Sequence, residues 1–101
     1  MNIYKISQSI NNGYDTYDSA VVIAENEDDA RTIHPLKYVT HHKDGKWYGT
    51  HSVAPYNEYE TENNFRSWLP FDEIHKIDVE FIGVAKEDSK KGGILSSFNA
   101  G

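Results

Sequence analysis

Tyr14 to His34, Y-D-T-Y-D-S-A-V-V-I-A-E-N-E-D-D-A-R-T-I-H, is the stretch that decides the fold of this 101-residue chain. It holds the most apolar strand, Ala20 to Ala24, and runs without a spacer into the best helix start. Asn26 suits an N-cap, because its side chain accepts from backbone N–H groups that the first turn leaves free. Asp29 occupies the capping-box position, and Glu27, Asp28 and Asp29 place negative charge where the helix dipole favours it. That arrangement explains the acidic run without a metal or a partner. Ala30 and Ile33 share a helical face and Pro35 ends the run, which predicts one short helix over about 26–34.

Upstream, Ile3 to Ile10 alternates with Tyr4, Ile6 and Ile10 on one face, the pattern of a half-buried strand. Asn12-Gly13 is the dipeptide of a type I′ hairpin turn. Pairing about it sets Tyr4 opposite Val21, Ile6 opposite Ser19 and Gln8 opposite Tyr17. Tyr17, Val21 and Ile23 then join Tyr4 and Ile6 on the core face, and a one-residue slip would reverse that assignment.

Downstream, residues 36–76 read as an irregular, aromatic-rich segment inserted into a single domain of residues 1–101. Within it, Tyr38 to His42 and Lys46 to Thr50 flank Lys43-Asp44-Gly45, which predicts a second hairpin. His51 to Asn64 is polar and reads as a long loop. Phe65, Trp68, Leu69 and Phe71 surround Pro70 and suit one helical turn closing over the sheet. Ile77 to Ala85 is the next strand, with Ile77, Val79 and Phe81 on one face, Ile82 and Val84 on the other, and Gly83 at a bulge or close approach. Lys86 to Gly93 reads as a charged loop, and 94–98 as an edge strand. The expected class is α+β: a small, mostly antiparallel sheet (N-terminal hairpin, strand 77–85, edge strand 94–98) with the single short helix.

Ten basic against sixteen acidic residues give a net charge of −6. Such a balance opposes nonspecific binding to nucleic acid and to anionic membranes. No apolar run approaches the roughly 20 residues that span a bilayer, and the N-terminus lacks a signal-peptide pattern, so a cytoplasmic protein is expected. With no cysteine, thiol nucleophiles, disulfides and zinc–thiolate sites are excluded. Seven Tyr, four Phe and two Trp make up 13% of the chain, and in a chain this size most have core work to do.

Catalytic signatures are weak. The histidines, at 34, 41, 42, 51 and 75, show no H-x-x-x-H or H-E-x-x-H spacing, and neighbours His41 and His42 would point to opposite faces of a strand. Asp15 and Asp18 suit turn hydrogen bonds better than an acid–base pair. Ser19, Ser96 and Ser97 lack a nucleophile elbow, and Gly92-Gly93 forms no phosphate loop. The expectation is therefore no enzyme, no metal and no cofactor. A binding surface is easier to defend: Trp47, Tyr48, Tyr56, Tyr59 and Trp68 lie among polar residues, with Glu58, Glu60 and Glu62 beside them. Tyr and Trp anchor protein interfaces and also stack on nucleotide bases.

The string N-N-G-Y-D-T-Y-D-S-A-V-V-I-A-E-N-E-D-D-A-R, with I-G-V-A later and S-F-N-A-G at the end, resembles a set of short phage and prophage proteins. The likeness covers residues 1 to about 35 and 77–101 and leaves 36–76 outside it. No catalytic residue carries over. The resemblance implies a mobile-element accessory protein in the host cytoplasm that inhibits a host defence protein, by blocking a surface or sequestering a signalling nucleotide. The leading expectation is a non-enzymatic binder of a host protein acting through Trp47, Tyr48, Tyr56, Glu58, Tyr59, Glu60 and Trp68. Alternatives are a small-ligand or nucleotide binder with Trp47 or Trp68 stacking on the base, and a small metal-dependent hydrolase. A homodimer through the tail strand fits the apolar area that a small sheet leaves uncovered.

Overall fold

The computed structural model describes residues 1–11, 13, 15–36, 38–51, 53–61 and 67–99. Strands β1 (Asn2–Ser7) and β2 (Thr16–Ala24) lead into helix α1 (Glu27–Arg31). Strands β3 (Val39–Lys43), β4 (Lys46–Thr50) and β5 (Glu58–Glu60) follow, then a 3-10 helix (Phe71–Lys76), β6 (Asp78–Val84) and β7 (Gly92–Asn99). They form a four-stranded sheet in the order β6-β1-β2-β7 and a three-stranded sheet in the order β3-β4-β5, with every pairing antiparallel. The fold is α+β and mostly sheet. One cluster of buried side chains, among them Ile6, Val22, Ala30, Trp47, Trp68 and Leu69, runs through both sheets.

The N-terminal hairpin forms in a register one residue away from the predicted one. Tyr4 pairs with Val22 and Ile6 with Ala20, so Ala20, Val22 and Ala24 face the core, while Val21 and Ile23 face outward and are half-buried. Gln8 is the cause. Its buried side chain donates from Nε2 to the carbonyls of Asn11 (2.7 Å) and Tyr17 (2.8 Å) and accepts at Oε1 from Ile10 N (3.0 Å) and Asn11 N (2.7 Å). β1 therefore ends at Ser7, Ile10 is exposed, and a wide loop replaces the two-residue turn. Asn12 lies outside the described residues. Asp15 takes a positive φ, at 59°.

Helix α1 starts as its sequence requires. Asn26 Oδ1 accepts from Asp29 N at 2.8 Å, and Asp29 Oδ2 accepts in return from Glu25 N at 3.0 Å, one residue upstream of the usual capping-box partner. Ala30 is buried against the sheet, Ile33 packs beside it, and Arg31 Nε donates to Ile77 O at 3.2 Å, tying the helix to the start of β6.

Residues 36–76, expected to be irregular, contain the second sheet. Asp44 and Gly45 both take positive φ (54° and 75°), so the predicted Asp-Gly turn joins β3 to β4. Part of the expected long loop is strand β5, which pairs Tyr59 with Gly49 and Glu60 with Tyr48. Glycine is required at 49: a Cβ there would lie 2.5 Å from Tyr38 O and 2.6 Å from the Tyr59 ring. The helical turn near Pro70 begins at Phe71, not before it, because the backbone carbonyls of Ser67 and Leu69 are turned outward to Tyr17 N and the Trp47 indole, making this segment a strut between the sheets. Phe65 and Glu62 lie outside the described residues.

β6 matches the predicted strand 77–85, with Ile82 as the extra residue of a bulge beside Gly83. Phe81, Ile82 and Val84 are nonetheless exposed, because β6 is an edge strand. β7 is the expected edge strand, but it starts earlier: Gly92 and Gly93 pair with Ile23 and Val22 rather than belonging to a loop.

Gly49→Ala should lower stability by about 2 kcal/mol or more, since the backbone carbonyl of Tyr38 cannot swing aside as a side chain could. Urea unfolding measures it. An unchanged midpoint would show that β3–β5 pack more loosely than the geometry indicates.

Candidate functional site

The sequence-predicted site residues part company in the structure. Trp47 (1% exposed) and Trp68 (0% exposed) are core residues. Trp47 is the hub of the second sheet: its Nε1 donates to Leu69 O at 2.9 Å, and its ring meets His34 and Phe71 edge-on, each with centroids 5.0 Å apart. Tyr59 lies half-buried over Gly49 with His51 beside its ring. Neither Trp can serve as an exposed interface anchor, and Tyr59 is a packing residue.

Tyr48, Glu58 and Glu60 do come together, on the outer face of the second sheet. His41 stacks on Tyr48 with centroids 5.9 Å apart, and Lys43 Nζ lies 5.1 Å from the centre of the same ring. Glu58 accepts from Lys43 and from His41 (2.6 Å), and Lys46 pairs with Glu60 at 3.1 Å. The Lys43 ammonium and then the His41 ring hold the Glu58 carboxyl below the usual carboxylate range. These glutamates are thus matched within the sheet and offer a basic partner little unpaired charge. Such exposed pairs are screened by solvent and contribute little to stability. Tyr56, 68% exposed, stands apart on the β4–β5 connection.

Sequence reasoning missed a half-open cleft of about 860 Å³ between the two sheets. Ala20 and Trp47 form its floor. One wall is β3, from Val39 to His42; the other is Lys91 to Ser96; the chain after α1, from Thr32 to Leu36, closes the back. Directly opposed residues share a face of a sheet. Gly93 lies opposite Val22, and Ser96 opposite Ala20, so β7 extends the inner face of its sheet while supplying almost no side chain to fill it. A Cβ built on Gly93 meets nothing within 4 Å. The cleft exists because of that missing volume. Its signal in the sequence was the Gly92-Gly93 pair at the head of a strand, but only the packing of β3 across from it makes that pair an opening.

The lining mixes apolar side chains with polar ones, among them His34, Thr40, His42, Lys91 and Ser96. His34 is buried at the back, and its Nδ1 accepts from Leu36 N at 3.0 Å. Burial pushes its pKa down to about 3, so the ring is neutral and its proton sits on Nε2, which is buried and has no hydrogen-bond partner among the described residues. Among the same residues, Ser67 Oγ and Trp68 Nε1 are also buried without a partner. At the mouth, Lys91 pairs with Asp29. Partial burial opposes ionisation of Asp29, but the Lys91 ammonium and the Glu25 N–H hold its carboxyl below the usual range. Among the described residues, no three His, Asp or Glu cluster so as to hold a metal ion, and no helix is long and apolar enough to cross a membrane.

Comparison with protein-family models, with curated proteins and with solved structures returned no match.

His34 should leave a pH signature. At low pH the unfolded chain takes up a proton at a pKa near 6.5 that the folded chain refuses until about pH 3. Stability is therefore full above pH 6.5 and falls as pH drops through that window, by up to about 1.4 kcal/mol per unit from this group. His34→Phe should flatten the decline measured by urea unfolding between pH 6 and 4.5. Equal slopes in both proteins would mean that His34 titrates normally in the fold.

Proposed function

We propose that this chain is a non-enzymatic binding protein whose working site is the cleft between its two sheets. The observation that carries the reading is the form of that cleft: buried Ala20 and Trp47 in its lining, polar side chains such as His34, Thr40 and Ser96 beside them, and a wall opened by Gly93. Its volume lies within the roughly 300–1,000 Å³ of small-molecule sites, which are mostly apolar with a few directing polar groups. Of the readings the sequence allows, this is the small-ligand binder, with Trp47 lying beneath the ligand as floor instead of projecting as a free stacking ring.

Gly93→Trp is the direct test. Residue 93 has an ordinary backbone φ and open space in front of it, so the indole should enter the cleft without disturbing the strand. Native mass spectrometry of protein purified from cells should show retained mass on the parent chain and none on the variant, at similar melting temperatures. Two bare chains, together with no thermal stabilisation of the parent by a metabolite library, would reject the reading.

A second reading, binding and inhibition of a host defence protein, draws support from the β4–β5 connection, where Val53 and Tyr56 are 74% and 68% exposed. Large apolar side chains held out of the core are the raw material of interface anchors. Tyr56→Ala should cost the fold nothing and weaken capture of a protein from host lysate by tenfold or more, whereas Tyr59→Ala also opens a void over Gly49. Capture unchanged by Tyr56→Ala would remove this loop from consideration.

A further inference from the structure

We infer that the cleft takes a small organic anion with a flat apolar body, its negative group lying at the Lys91 end. This deepens the ligand-binding reading and rests on it.

The first support is a charge asymmetry. Sixteen of 101 residues are acidic, yet no Asp or Glu is found among the described residues that line the cleft. Among the described lining residues, the one permanently charged group is the Lys91 ammonium. One carboxylate does stand nearby, but behind the cation: Asp29 holds Lys91. Asp29 lies outside the lining and fixes the ammonium at its edge. Lys91 is 48% exposed, and an ammonium has three donors, so pairing with Asp29 leaves donors for a ligand. A cation moored by a carboxylate loses less side-chain freedom when a second anion arrives.

Further support comes from shape. Val39 and Leu36 on one side and Ile94 on the other border a gap whose floor is an indole and a methyl group. A planar apolar body satisfies those surfaces, whereas a free inorganic anion would leave them uncovered. Deep in the cleft, a neutral His34 repels no apolar group. A cationic ligand would bury its charge against Lys91 with no carboxylate in the lining to compensate, which is costly.

Two probes with the same aromatic body separate charge from shape: 8-anilinonaphthalene-1-sulfonate, an anion, and N-phenyl-1-naphthylamine, which is neutral. Fluorescence titration should give one site for the anion, bound at least tenfold more tightly than the neutral probe. Lys91→Gln should bring the two affinities within about threefold of each other, and Lys91→Arg should restore the preference, which a merely structural role for the Asp29 contact would not require. Gly93→Trp should abolish binding of both.

If both probes bind the parent chain equally and Gly93→Trp blocks both, the cleft reading stands and the anion inference falls. Should neither probe bind, or should Gly93→Trp leave both affinities unchanged, both readings fall. An anion preference that survives Lys91→Gln, in protein whose melting temperature shows it folded, overturns the assignment of the anion to the Lys91 end.

Discussion

Three consecutive carbonyls hold this protein together. Ser67 O accepts from Tyr17 N at 2.8 Å, Trp68 O from the side chain of Asn11 at 3.0 Å, and Leu69 O from the indole of Trp47 at 2.9 Å. The first two donors belong to β2 and the N-terminal loop, the third to the second sheet. A backbone segment lodged between layers must satisfy its polar groups where water cannot. This one does so by pairing with both sheets at once, while its side chains Trp68 and Leu69 fill the space between them. Two sheets with no shared strand thereby acquire one core and a fixed separation.

The cleft follows from that separation. Near the strut, aromatic rings span the distance between the sheets: Trp47 meets His34 and Phe71, and His42 stacks on Phe71 with centroids 4.2 Å apart. Toward β7 the same distance is met by glycine and serine, and nothing spans it. A gap of this kind costs dispersion contacts along its lining, so a chain that holds it open gives up stability for access. The Asp29–Lys91 pair joins the wall formed by the start of β7 to the first turn of α1. Helix cap, cleft mouth and edge strand thus share one carboxylate.

The second sheet divides its labour by face. Trp47 and Tyr59 point inward, the first buried and the second packed over Gly49. Outward, His41, Lys43, Lys46, Glu58 and Glu60 neutralise one another around Tyr48. Aromatic and acidic residues interleaved in sequence, as in Glu58-Tyr59-Glu60, look like a mixed binding surface, but strand alternation sends them to opposite sides. That is why Trp47 and Tyr59 went to the core while Glu58 and Glu60 went to a paired surface.

What the sequence settled by itself was local. Asn26 and Asp29 cap α1, Asp44-Gly45 turns β3 into β4, and Ile77 to Ala85 contains β6, because each depends on residues a few positions apart whose backbone preferences are strong. The α+β class followed from those pieces. Tertiary structure decided the rest. Asn12-Gly13 carries the signature of a tight turn, but a buried Gln8 bonded to Asn11 and Tyr17 outweighs it and shifts the register by one residue, exchanging Val21 for Val22 in the core. Likewise, nothing local shows that Gly93 faces a void or that Trp47 lies at its floor. A cleft is a relation between segments some fifty residues apart in the chain, and it exists only once hydrogen bonding from the strut has set how far apart the sheets stand.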